Sequence, residues 1–509
     1  MDGKTEHLSI GAGKTHSLWI ETTEETNFPS LSKDLKVDTL IIGGGIAGLT
    51  TALLLKDQGR EVAVIEAANI VKDTTGHTTA KVTALHGFIY QMLLVKFGFL
   101  GARAYVKANL VAIEKIAQII ETKNIDCDFK RTIAYSYTEE EKNISLVNHE
   151  YESARKLGLD SFFTENPPLP FPVKAALGLR NQAQFHPRKY LLGVAKEIVS
   201  KGGHIFENTK ALDISEDKRI IVKTDRGEII AKNAVIATHF PFVDKGFFYA
   251  RLYPYRSYAI ACQIEEELPE GLYYSQDENH HSIRNYADNS NSFLIVGGGR
   301  HRSGQSADTM KSYNDVLNYA KIRFNVKSIG YYWSAQDYHT ADGVPYIGKL
   351  PGSKKIYVAC GMGSWGMTNG TAAAKIIANA IIGRTKSYAH LFKPSRINLV
   401  KGGGTILREN TSDIKQYLKG YFFKEKTDLT KLPPDKGSLT KEGHKKLAVY
   451  KDEEGKLHTL SAICPHMACL VTWNTAEKTW DCPCHGSRFD KDGKVIHGPA
   501  LSDLPEADL

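Results

Sequence analysis

The sequence predicts an α/β fold built around a parallel sheet, followed by a small C-terminal metal-binding domain. Three stretches predict it. A complete strand–turn–helix–strand pattern occupies residues 37–66, a second glycine loop opens an apolar helix at residues 361–382, and two boxes of cysteine and histidine stand at residues 464–485.

Length and composition set the frame. A chain of 509 residues suits two or three domains with large cores. Its 42% hydrophobic and 24% charged residues are those of a globular protein. The excess of 65 basic over 57 acidic residues, +8, is small for this length and does not call for a nucleic-acid partner. Of seven cysteines, Cys127, Cys262 and Cys360 are scattered. The clustered four read as metal ligands in an intracellular, cytoplasmic chain rather than as a disulfide scaffold. The opening residues hold no apolar core of signal-peptide length. No apolar run is long enough for a transmembrane helix. The nearest, Gly87–Leu100 (GFIYQMLLVKFGFL), is broken by Lys96 and reads as a buried helix; the alternative is a patch for peripheral membrane contact.

Residues 1–34 read as an extended polar arm. Within them Gly11-Ala12-Gly13-Lys14-Thr15 imitates the end of a phosphate loop, but the motif needs a glycine where Leu8 stands and a strand before it. The first organised unit follows. Val37–Ile42 (VDTLII) has the β-branched run of a buried parallel strand. It leads into Gly43, Gly45 and Gly48, an apolar helical stretch Leu49–Leu55, a turn at Gly59, and a second strand ending in Glu66. Gly43 suits the tight turn, Gly45 the close approach of a pyrophosphate, and Gly48 the packing of helix on strand. The free N–H groups and positive end of that helix attract phosphate. Glu66 is placed to accept hydrogen bonds from ribose hydroxyls and repels a 2′-phosphate, which argues against NADP.

Three later stretches bear on which dinucleotide binds. Thr74–Lys81 (TTGHTTAK) supplies small hydroxyl residues, including Thr78 and Thr79, for a loop close to a cofactor. Ala234–Thr238 (AVIAT) reads as a returning strand. Asp342–Gly348 (DGVPYIG) precedes the strand Ile356–Ala359 and the loop Gly361–Thr368 (GMGSWGMT), which opens a helix over Thr371–Ile382 stopped at Gly383. Such a helix end stabilises the anionic pyrimidine edge of a reduced flavin.

This set resembles the D-amino-acid oxidase/glycine oxidase superfamily of FAD-dependent oxidoreductases over about residues 35–397. The resemblance implies an α/β Rossmann-like FAD domain (segments about 37–90, 187–240 and 333–383) interleaved with an α+β antiparallel substrate domain (about 91–186 and 241–332). It implies FAD contacts at Gly43, Gly45, Gly48, Glu66, Thr78, Thr79, Asp342, Gly363, Gly366, Met367 and Thr368, and main-chain contact with adenine at Ala211. Relatives that bind flavin covalently use a histidine or cysteine. Ala80, rather than His77, stands at the histidine position, so FAD is expected to be non-covalent.

The two boxes read Cys464-x-His466 and, after fifteen residues, Cys482-x-x-His485. Two thiolates and two imidazoles suit either a closed Cys₂His₂ zinc site or a Rieske [2Fe–2S] centre. The wider pattern, with Cys469, Cys484, Gly486 and Ser487, resembles the Rieske proteins of the cytochrome bc type over residues 425–509. That resemblance implies a small all-β Rieske domain, with Cys464 and Cys482 on one iron, His466 and His485 on the other, and a disulfide between Cys469 and Cys484. Neutral histidines in place of two thiolates raise the potential. In those proteins a serine and a tyrosine add hydrogen bonds toward cluster sulfur. Here Ser487 is present but Phe489 occupies the tyrosine position, so a lower potential than theirs is expected.

Residues 398–424 read as a linker with a short helical stretch at Asp413–Lys419. From Lys415 to Lys446 nine lysines stand against four acids, either a solvated tether or a basic docking strip for an acidic redox partner. Together the parts imply a dehydrogenase. FAD oxidises a small amine or amino-acid-like molecule, and the cluster passes electrons singly to an unknown one-electron acceptor. Substrate-side candidates are Tyr258, Arg284 and Trp365, with His301 and Trp333; Arg284 would hold a carboxylate and Trp365 would wall the pocket. His186 and His339 read as structural. An electron-transfer reductase and a redox sensor are the alternatives. A Rieske oxygenase needs two histidines and a carboxylate on a further iron, and His280 and His281, being adjacent, point apart on a strand.

Overall fold

The computed structural model describes residues 9–243, 245–288, 292–306, 308–396 and 399–508. Leu35–Ile42 lies centrally in an eight-stranded sheet, in the order Tyr346–Lys349, Ile356–Cys360, Gly227–Ile236, Leu35–Ile42, Val62–Ile65 and His204–Phe206, with the hairpin of Ala211–Glu216 and Ile220–Thr224 on its flank. The four central pairings are parallel. Strands buried on both faces explain why Leu40, Ile41, Val62 and Val64 form an unbroken apolar run. Helices Ile46–Lys56 and Gly366–Ile381 pack on each other over this sheet; a Cβ on Gly370 would come within 2.8 Å of Ile46 Cγ2, so only glycine permits that approach.

The second sheet has nine strands. Val326–Thr340 forms one edge, followed by Leu252–Ile264, Ser292–Arg302, Ser282–Ala287, Leu272–Ser275, Lys130–Thr138, Ala175–Gln184 and Lys81–Val82. Its pairings are antiparallel except that between Leu272–Ser275 and Lys130–Thr138. Helix Thr309–Arg323 covers one face through Tyr313, Val316 and Leu317. The C-terminal domain consists of a three-stranded sheet (Lys436–Glu442, Lys445–Lys451, Leu457–Ser461) and a four-stranded sheet (Thr472–Asn474, Thr479–Asp481, Arg488–Asp490, Val495–His497) around Trp480, Phe489 and Val471.

Three segments differ from expectation. The described part of the N-terminal arm is packed: Trp19 is fully buried and donates from Nε1 to the Thr78 carbonyl at 2.6 Å, and Lys14 exchanges main-chain hydrogen bonds with Gly330 and Tyr332. Gly87–Leu100 opens the helix Tyr90–Thr122, bent where Gly98 takes φ +66°, but it is only half-buried: Tyr90 and Leu93 point inward while Val95 and Leu100 are 81% and 82% exposed. Lastly, the expected linker is a 23-residue helix, Leu399–Tyr421, held by inward acids rather than loose. No helix among the described residues is long and apolar enough to cross a membrane.

Candidate flavin and iron–sulfur sites

The first glycine loop has the shape its sequence requires. Gly43 takes φ +112°, and a Cβ there would meet the Ala237 carbonyl at 2.5 Å; one on Gly48 would collide with the Gly43 carbonyl. Gly45 caps the helix and faces Thr75, whose Oγ1 accepts from the Ile46 N–H at 3.3 Å. Glu66 ends its strand and accepts from the N–H groups of Gly44 (2.8 Å) and Ala68 (3.1 Å), while burial raises its pKa. Ala211 is buried two residues past Thr209, whose N–H bonds the Glu66 carbonyl. The second glycine loop turns through Gly361 and Gly363 at φ +73° and +65° into Gly366, Met367 and Thr368. Thr368 Oγ1 donates to the Thr83 carbonyl, and Trp365 stacks on His86 at 4.8 Å. Free helix N-termini, a carboxylate at the end of the second strand and a positive-φ loop on the facing strand form a cradle that fits FAD.

The second site lies in the C-terminal domain. The buried thiols of Cys464 and Cys482 hydrogen-bond each other and receive main-chain N–H groups, of His466 and Met467 for the first and of Cys484 and His485 for the second. The rings of His466 and His485 stand 5.1 Å apart and nearly perpendicular. His485 Nδ1 is buried without a hydrogen-bond partner among the described residues, and burial holds its pKa down at about 3. A neutral imidazole with an unsatisfied nitrogen beside two paired sulfurs fits a metal ligand set. Cys469 and Cys484 are joined in a disulfide, and Ser487 Oγ accepts from the Ala500 N–H at 3.0 Å.

The strand Val326–Thr340 stands between the two sites. Its residues alternate in direction. On one face, Trp333 Nε1 donates to the His77 carbonyl at 2.8 Å, and Asp337 bonds the Ser364 N–H of the second glycine loop and His239 Nε2 (2.9 Å). On the other face, Ser334 bonds Glu477, Gln336 Nε2 donates to the Gly486 carbonyl (2.8 Å), and Tyr338 OH donates to the carbonyl of His485 (2.9 Å). Phe240 bridges sideways, its ring 5.1 Å from Tyr338 and 6.3 Å from His466. Glu477 also pairs with the buried Arg256 and with Arg488, so the contact between domains is a largely buried ionic network.

Residues 38–380 match the family model of the DAO FAD dependent oxidoreductases, and residues 424–508 match the Rieske [2Fe-2S] domain. The chain belongs to the FAD dependent oxidoreductase family. It carries FAD and, in a fused Rieske domain, a [2Fe–2S] cluster. It is 38% identical over 507 residues, 99% of each chain, to a putative Rieske 2Fe-2S iron-sulfur protein, YhfW, of Bacillus subtilis. It is 23% identical to gamma-glutamylputrescine oxidoreductase of Escherichia coli, over 71% of this chain and 87% of that one. The fold matches glycine oxidase from Geobacillus kaustophilus with a TM-score of 0.59 and 17% identity, over 72% of this chain and all of the other.

Within this FAD-dependent oxidoreductase several expected site residues have other employment. Arg284 is fully buried and donates to the carbonyls of Thr79, Ala80, Phe185 and Asn285; it anchors the flavin-side loop and does not reach out to a carboxylate. Tyr258 and His301 hydrogen-bond each other at 2.9 Å on the face covered by helix Thr309–Arg323, opposite Ala259, because neighbours on a strand face opposite ways. Asp342 closes its own turn, binding Arg396 Nε at 2.8 Å and the Val344 N–H, so its carboxylate is not directed at a cofactor. Trp365 is half-buried, edge-on to Tyr274 at 5.4 Å. Thr79 lies against Gly297, and Lys81 Nζ donates to its Oγ1 at 3.1 Å. His186 caps a helix, as a structural histidine should. His339, also read as structural, bonds Ser364 Oγ at 3.1 Å and meets the Tyr255 ring at 5.3 Å. His280 and His281 do turn apart, onto Tyr274 and Tyr319.

One residue escaped the sequence. Arg300 is exposed, lies 4.1 Å over the Tyr255 ring and pairs with no carboxylate among the described residues. Its charge acts on His339, whose pKa burial and Arg300 hold at about 3, and on Tyr274. The signal was faint: an arginine beside the glycines 297–299, where strand geometry breaks at Gly299 with φ +64°.

Proposed function

We propose that the protein is a dehydrogenase of the cytoplasm that oxidises a small amine or amino-acid-like substrate at a C–N bond and passes electrons singly to an acceptor. FAD supplies the two-electron oxidant, and the cluster supplies the one-electron carrier. The observation that carries this reading is the one-strand partition, with Asp337 turned to the flavin loop and Tyr338 to His485. An enzyme that gave its electrons to oxygen directly would have no use for a cluster docked there.

The names of two relatives, gamma-glutamylputrescine oxidoreductase and glycine oxidase, favour an amine or amino acid. Arg300 supports the same class. It pairs with no carboxylate among the described residues, lies over Tyr255 near Tyr274 and His339, and is suited to a substrate carboxylate. The rings of Tyr274 and Trp365 offer a wall for an apolar side chain. His339, neutral near pH 7, holds Ser364 rather than charging the pocket.

The test is an anaerobic survey of amines and amino acids on the purified protein, following flavin absorbance and the low-temperature cluster EPR signal together. The expected result is flavin bleaching by a C–N substrate followed by the reduced-cluster signal. Bleaching by NADH alone would replace the proposal with an electron-transfer reductase. A flavin untouched by every amine, in a protein whose cluster still cycles, would leave a redox sensor.

A further inference from the structure

From Leu407 onward, helix Leu399–Tyr421 turns its large apolar residues outward. Its inward face is polar: Arg302 binds Glu409 at 2.7 Å and also Asp413, and Asn410 Nδ2 donates to the Ala250 carbonyl at 3.1 Å. Near its end Gly420 packs on Leu470. Outward stand Leu407 (72% exposed), Ile414 (59%), Leu418 (45%) and Tyr421 (67%), with Tyr417 and Phe422 beside them. Positions 407, 414, 418 and 421 share one helical stripe. Six of the eighteen large apolar side chains exposed among the described residues fall within residues 407–422, so the stripe is a patch and not a scatter.

We propose that this face docks the protein on the surface of an anionic lipid bilayer. The charge pattern selects that occupant. Arg408, Lys415 and Lys419 run along one flank of the stripe, and Lys424 and Lys426 follow it. The acids of the helix, Glu409 and Asp413, are turned inward on Arg302, with Glu409 also holding Arg408 at 2.9 Å, so Lys415 and Lys419 are the cations of the flank without an acid on the helix, and Glu425 is the lone exposed acid between residues 408 and 426. A second copy of the chain meeting this face antiparallel about a two-fold axis would set the cation row against itself. Anionic headgroups pair with the row while Leu407, Ile414 and Leu418 enter the acyl boundary and the tyrosines lie at headgroup level. The stripe is roughly 21 Å long, that of a helix lying flat.

The position gives the docking a use. The helix runs from Tyr255 to the cluster domain: Tyr255 OH reaches Glu409 at 3.3 Å, and the Asp413 carbonyl lies 3.9 Å from Cys484 Sγ. A protein seated by this face brings the cluster to the bilayer, where a lipid-soluble acceptor would be found. That use rests on the proposed electron transfer; the binding itself does not.

The holoprotein is sedimented with phosphatidylcholine vesicles containing or lacking phosphatidylglycerol, with flavin and cluster absorbance confirming that each variant is folded. Binding is expected only to the anionic vesicles. It should fall roughly tenfold or more in Leu407→Glu/Leu418→Glu and in Lys415→Glu/Lys419→Glu. Wild-type protein left in the supernatant with anionic vesicles, or variants that bind as well as wild type, would overturn the proposal. A dimer in sedimentation velocity that the leucine variant makes monomeric, without vesicle binding, would assign the stripe to a second copy instead. None of these readouts involves turnover, so failure here leaves the dehydrogenase reading standing.

Discussion

His497 Nδ1 of the Rieske domain lies 2.8 Å from Asp73 Oδ2 of the flavin-side loop, joining residues 424 positions apart in sequence. The other nitrogen of His497 is 3.3 Å from His239 Nδ1, and His239 Nε2 is 2.9 Å from Asp337. The four groups pair in series, from the loop before Thr74 to the strand between the two sites, and half of the first link belongs to the cluster domain.

This clasp makes docking of the two domains pH-dependent. Desolvation by the surrounding chain pushes Asp73 up, though its side chain is 66% exposed, and His497 and then His239 and His77 outweigh it and hold the carboxyl below its ordinary value. A depressed carboxyl contributes stability above its unfolded pKa and loses it as pH falls toward the folded one. Docking should weaken on acidification. His497→Asn should weaken it at neutral pH by about three- to tenfold, the discount for a partly exposed pair included. Limited proteolysis between the domains measures both; cleavage unaffected by the substitution refutes the clasp.

Tyr338→Phe removes the hydroxyl that bonds the His485 carbonyl and leaves the ring beside Phe240. A buried hydrogen bond is worth about 1 kcal/mol. The expected outcome is a shifted cluster EPR signal and slower cluster reduction after flavin bleaching, with unchanged bleaching by substrate. Unchanged transfer would mean that the strand is a wall and not a bridge.

Phe489→Tyr should raise the cluster potential. Phe489 is fully buried opposite Trp480, so an added hydroxyl has no solvent to turn to. One hydrogen bond toward cluster sulfur, at about 1 kcal/mol, corresponds to a rise on the order of 40 mV for a one-electron couple. Protein-film voltammetry of the two forms decides it, and a fall in potential would refute the assignment of this position.

Lys81 is buried next to Arg284, and burial lowers its amine pKa far from the ordinary value. A lysine depressed in the folded state binds more protons when unfolded, so its contribution to stability falls as pH falls from its unfolded pKa toward the folded one. Lys81→Met should therefore stabilise the holoprotein at neutral pH by about 1–3 kcal/mol and flatten its alkaline stability gain. Thermal unfolding followed by flavin fluorescence between neutral and alkaline pH measures this. A destabilised variant would show instead that the amine is charged and satisfied in the loaded site.

The sequence by itself determined the glycine turn and the two short cysteine–histidine loops, because their requirements are local. Gly43 and Gly48 answer to a turn and a packing contact within six residues, and Cys464 with His466, like Cys482 with His485, sits on one short loop. The tertiary structure decided what depends on register and on distant chain. Strand alternation turned Tyr258 away from the flavin side and set Asp337 and Tyr338 on opposite faces. Burial committed Arg284 to main-chain carbonyls, while Arg300 lies exposed over the Tyr255 ring. The expected linker became a helix because Arg302, over a hundred residues earlier, binds Glu409 and Asp413. A strand's two faces and an ion pair's two ends are fixed only when the chain has come together, since neither is a property of adjacent residues.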